Sequence, residues 1–253
     1  MMANQIMPNQ QCMPLSVMLS EKLSVEAQNG WLPMDFNRAR FVQNALALVN
    51  SNTDFSKYAP DQIIQGLMRG AYLGLDFSQK EAYLIPYGPQ LNFQTSYIGE
   101  RKLVKRYSTR KIKEIYAKVI RTGDEFTEQI VNGEPTFSMK PLPFNDGEII
   151  GAVACCIYAD GGIQYETMSK KDIEAVRRKS KMANGMAWKD FYGEMCKKTV
   201  LRRLCKMIDI EFENPNQRNV YDETMALDDG KSMRAEQPMM ENSEDFIEDG
   251  DIQ

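Results

Sequence analysis

The chain has 253 residues, 43% of them hydrophobic, which is enough for one sizeable core or two small ones. No run approaches the 18 apolar residues of a membrane span, and residues 1–19 lack the basic and apolar regions of a secretory signal, so a cytoplasmic protein is expected. There is no histidine, which removes the usual general base near neutral pH, the usual metal ligand and every Ser/His or Cys/His nucleophile pair.

The net charge of −4 hides a division. Residues 1–208 hold 28 Lys/Arg against 21 Asp/Glu, whereas residues 209–253 hold 3 against 14. A basic body with an acidic tail suits a nucleic-acid partner. Five cysteines form no CxxC pair and read as reduced thiols.

In chain order, residues 1–30 are rich in Asn, Gln, Met and Ser and predict a loosely ordered, flexible arm that can hold a short helix near Leu15–Leu23. Asp35 is placed to cap a helix running to about Val49. Pro60 opens and Gly74 closes a helix with Ile63, Ile64, Leu67, Met68 and Ala71 on its stripe. Ala82–Tyr87 and Gln90–Thr95 flank Gly88-Pro89 as a hairpin, and Ser96 caps a helix from Tyr97 to about Tyr107. Four strands follow as a meander, over 110–121, 126–131, 136–139 and 148–158, the last apolar enough to be central. Ile163–Met168 is a further strand, and Ser169 with Asp172 forms a capping box for a helix over 170–179.

Ser180–Gly185 reads as a flexible link into Trp188–Ile208, a single predicted helix on which the rest is organised. It carries Lys189, Lys197, Lys198, Arg202, Arg203 and Lys206, and its apolar side changes face part-way along. That pattern offers a basic ridge between two packed sides, suited to a polyphosphate partner. Beyond Glu213 disorder is expected. The predicted organisation is an arm over 1–30, a core over 31–210 and an acidic disordered tail over 211–253. The predicted fold class is α+β, an antiparallel β-meander packed against helices with a helical N-terminal lobe.

No Walker-type or GxGxxG loop occurs, and no carboxylate cluster suits two metals. A binding protein without chemical turnover is therefore favoured over an enzyme, with no cofactor and no metal. Phosphate contacts are expected from Lys197, Lys198, Arg202 and Arg203, joined by Lys102 and Arg106 of the helix after the hairpin. Lys189, Arg177 and Arg178 are second choices. Lys197 stands out because it falls among apolar positions, where an ammonium needs a partner. Tyr97, Phe93 and Trp188 either stack on bases or fill the core.

Four segments occur in order: AYLIPYGPQLNFQTSYIGERKLVKR, DEFTEQIVNGEP, DGGIQYETMSKKDIEAVRRKS and WKDFYGEMCKKTVLRRL. Together, over about Asp54 to Ile208, they resemble the RecT family of phage single-strand annealing proteins. Two positions depart from that pattern: Ile98 stands where the family often has Lys, and no His precedes Pro141. The resemblance implies ATP-independent binding of single-stranded DNA and annealing of complementary strands in recombination. It also implies homo-oligomeric rings or helical filaments, with a phage exonuclease and a host single-strand-binding protein as candidate partners. The rival classes are a passive single-strand coat, a metal-dependent nuclease and an interaction protein with no nucleic-acid role. The acidic tail is expected to mimic DNA or dock a partner.

Overall fold

The structure, a computed structural model, describes residues 13–180 and 183–228. The fold is α+β: antiparallel sheets packed against helices, with a helical N-terminal region. Three helices come first: α1 Leu15–Gln28, α2 Arg38–Ser51 and α3 Pro60–Leu73, with a 3₁₀ turn at Thr53–Lys57. The cap of α2 is Asn37, whose side chain accepts from the Arg40 N–H. Asp35, the cap expected from sequence, instead binds Arg106. Pro60 opens α3, and Gly74 ends it in the left-handed region at φ 63°, the stop its lack of Cβ allows.

A hairpin, β1 Ala82–Tyr87 with β2 Gln90–Thr95, packs on α3 and leads into α4 Tyr97–Tyr107. Ser96 caps α4 by accepting from the N–H groups of Ile98 and Gly99. The main sheet has the order β3-β6-β7, from β3 Ile112–Arg121, β6 Ile149–Tyr158 and β7 Ile163–Ser169. β4 Glu125–Val131 and β5 Glu134–Lys140 form their own hairpin and do not join it. The expected run of consecutive pairings is thus interrupted: β3 pairs directly with β6. Ala152, Ala154, Cys156 and Tyr158 of β6 belong to the main core, whereas Val153 and Cys155 alternate onto the opposite face. There the β4–β5 hairpin covers part of the sheet, with Phe137 4.7 Å from Tyr165.

α5 Lys170–Lys179 starts at the capping box read from the sequence, Ser169 with Asp172. The organising segment is two helices, not one: α6 Met186–Asp190 and α7 Tyr192–Met207. The break falls at Phe191 (φ −126°, ψ 40°), which is exposed, near the point where the apolar face changes side. α7 lies against the sheet and buries Cys196, Val200, Leu201, Leu204 and Cys205.

Both ends of the described chain are more ordered than their composition suggested. α1 covers the short helix read near Leu15–Leu23 and runs on to Gln28, with Leu19 and Leu23 wholly buried and contacts to α2 and α3 where a loosely ordered arm was expected. α8 Pro215–Asp228 lies inside the supposed disordered tail. It buries Gln217, Val220, Tyr221, Thr224 and Met225 against α3 and the end of α4, with Gln217 donating to the Tyr107 hydroxyl at 3.2 Å. These few apolar positions were outweighed by the acidic residues around them. The expected disorder of the remaining tail and the first part of the arm falls outside the described residues.

Two glycines give opposite expected outcomes. A Cβ on Gly99 would overlap the carbonyl oxygen of Glu81, whereas one on Gly193 would meet Ile149 at an ordinary 3.5 Å. Chemical denaturation should show Gly99→Ala destabilised by about 3 kcal/mol from overpacking. Gly193→Ala should be stabilised by roughly 0.5–1 kcal/mol, because Gly is costly inside a helix.

Candidate nucleic-acid interface

α4 and α7 meet along a crease whose floor is a buried ion pair. Glu100 of α4 has 0% exposure, and its Oε1 receives Arg202 Nη2 of α7 at 2.5 Å and the Thr95 hydroxyl at 3.0 Å. Burial raises the Glu100 carboxyl above its ordinary range, against the opposing pull of Arg202. Lys198, one turn before Arg202, is half-buried. Its ammonium is pushed below the ordinary range by burial and then by Arg202, with Glu100 pulling the other way. Arg101, next to Glu100 on α4, is also half-buried, and its Nε is sealed from solvent with no acceptor among the described residues. Arg202 and Lys198 therefore both face the Glu100 carboxylate in a partly desolvated crease, with Arg101 next to it in the chain, a setting that favours an incoming anion.

Other expected contacts have occupations within the fold. Lys102 bridges Glu81 (2.7 Å) and the carbonyl of Gly74 (3.0 Å). Arg106 is held by Asp35, and Arg203 Nε by Glu166 at 2.6 Å. Arg177 donates to the Ala183 carbonyl at 2.8 Å and lies 5.4 Å from the Trp188 ring centroid. Lys197 pairs with Glu194 one turn earlier on its own helix, which gives its ammonium the partner that an apolar setting calls for. Lys198 is the ammonium held in poor surroundings. Lys189 and Arg178 are exposed.

The aromatic candidates divide. Phe93 and Trp188 are buried, so they belong to the core. Tyr97 is half-buried, with exposed Ile98 beside it. In the sequence Arg101 is one of several basic residues on α4. Its i, i+4 relation to Lys105 gives a helical face, but nothing local marks its Nε as lacking an acceptor. Among the described residues no cluster of His, Cys, Asp or Glu is suited to a metal ion, and no helix is long and apolar enough to cross a membrane.

These features define an α+β protein with a cationic crease between two helices. The sequence pattern of the RecT family matches residues 39–238. Protein RecT of Escherichia coli (strain K12) is 30% identical over 191 residues, covering 71% of this chain and 68% of that protein. The chain belongs to the RecT family, and so to the single-strand annealing proteins of DNA recombination.

The buried pair makes a stability prediction. Glu100→Gln keeps the shape but removes the buried carboxylate that Arg202 faces across the crease, and should cost about 3–5 kcal/mol in denaturant unfolding. Glu194→Gln, on the exposed partner of Lys197, should change stability by less than about 0.5 kcal/mol.

Proposed function

We propose that this chain binds single-stranded DNA through its phosphates along the α4–α7 crease and anneals complementary strands without ATP. The observation that carries this reading is the gathering of cations around Glu100, with Lys198 and Arg101 half-buried and, among the described residues, in no ion pair with a carboxylate of their own. Lys105, Lys189 and Arg178 are exposed and extend the contact set. Lys197 and Arg203 join it by exchanging a surface carboxylate for a phosphate. Lys102, Arg106 and Arg177 act mainly by holding the interface in shape, and Arg202 by holding the crease closed.

Annealing makes and breaks no covalent bond. Base pairing and stacking drive it, at about 1.4 kcal/mol per step in duplex DNA. Phosphate repulsion between the strands opposes it. A row of cations that neutralises one backbone and leaves its base edges open lowers that barrier, and neither ATP nor a divalent ion has a part in it. One protomer spans few nucleotides, so copies act side by side in head-to-tail array. A phage exonuclease and a host single-strand-binding protein are the proposed partners, and the bacterial cytoplasm the proposed setting.

The test mixes complementary oligonucleotides, one pre-coated with protein, in EDTA and without ATP. Wild type should accelerate duplex formation. Lys198→Ala should lose about 1.5 kcal/mol of single-strand affinity, the worth of a charge-assisted hydrogen bond, or roughly tenfold. The salt slope should fall by about 0.7 for each phosphate contact removed. Slower pairing with tight binding would establish a protective coat instead, and no binding at low salt would overturn the assignment.

A further inference from the structure

From residue 121 to residue 148 no residue is buried. This excursion is nonetheless sharply defined. β4 and β5 pair residue for residue through a turn in which Asn132 (φ 52°) and Gly133 (φ 84°) are both left-handed, the twist-matched geometry for a two-residue hairpin. Phe126 and Phe137 anchor its inner half on Tyr165 of the main sheet. The outer end carries Ile130 (76% exposed) and Val131 into solvent.

At the base of the hairpin, a second apolar group is presented. The Asp124 carboxylate accepts from the Leu142 N–H (3.0 Å) and from the Asn145 side chain (2.8 Å), and Asn145 in turn accepts from the Gly147 N–H (2.8 Å). That network holds Phe144 at φ 52°, a costly conformation for a bulky residue, with its side chain wholly exposed.

We propose that the β4–β5 hairpin and the Phe144 loop form the surface by which one copy of this chain docks on the next. Charge identifies the occupant. Residues 122–148 hold six carboxylates and one lysine, whereas the rest of residues 13–228 holds 28 Lys/Arg and 21 Asp/Glu. An acidic surface repels phosphate, so these apolar groups are not DNA contacts. It matches the basic remainder of the same protein. Self-matched docking about a two-fold axis would oppose acid to acid, so the contact is heterologous and adds copies in one direction. The inference rests on the side-by-side arrangement proposed above and names the surface that makes it.

The experiment is sedimentation velocity on the full chain at low and high salt, with single-strand binding measured in parallel on an oligonucleotide one protomer long. Wild type should form species larger than a dimer that shrink as salt rises. Ile130→Asp with Phe144→Ser should assemble at least tenfold more weakly while keeping wild-type circular dichroism and short-oligonucleotide affinity. Glu134→Lys with Asp146→Lys, both at exposed positions, should weaken assembly by a similar factor. A photo-crosslinker at position 130 should join two copies of the chain. A wild type that stays monomeric, or variants that assemble as wild type does, would overturn the proposal. Assembly that depends on the hairpin in a protein that neither binds nor anneals single strands would support this surface and sink the annealing reading. Annealing that survives unchanged in variants of undiminished assembly would do the reverse.

Discussion

A carboxylate with no exposure to water sets the terms for this fold. Glu100 cannot remain ionised in the interior without a counter-charge, and Arg202 supplies it from α7. The pair fixes α4 against α7, and with them the hairpin that leads into α4 and the sheet beneath α7. It also has a chemical effect on its surroundings. The same carboxylate faces Lys198 as well as Arg202, so the crease between the helices gathers cations where solvent screens them poorly. One interaction thus positions the two helices and leaves them receptive to an anion.

Much of the architecture was legible because it is encoded locally. Pro60, Gly74, Ser96 and the Ser169–Asp172 pair each set a helix boundary through their own backbone chemistry, and the structure uses them that way. The apolar run of β6 gave its central place for the same reason. What depends on distant partners was not legible. That β3 skips the following hairpin to pair with β6 is decided by tertiary packing, since alternating apolar residues suit either arrangement.

The same division runs through the candidate interface. The basic residues of α4 and α7 stood out, but their employment did not. Lys102, Arg106 and Arg203 meet Glu81, Asp35 and Glu166, each far away or on another element. Counting cations on a helical face cannot separate those that hold the fold from those left over. α8 was lost differently: averaging over an acidic tail concealed Val220, Tyr221 and Met225, enough to dock a helix.

The docking of α8 changes where the protein's charge resides. Its acidic residues belong to the folded body, and residues 13–228 hold 29 Lys/Arg and 27 Asp/Glu. From a distance such a body is close to neutral. Its pull on a nucleic acid is therefore multipolar, set by the separation of an acidic hairpin and α8 from a cationic crease. It fades within a Debye length, about 8 Å at physiological ionic strength. An approaching strand is turned by this field more than it is drawn, so the orientation of encounter, rather than its frequency, is what the charge pattern governs.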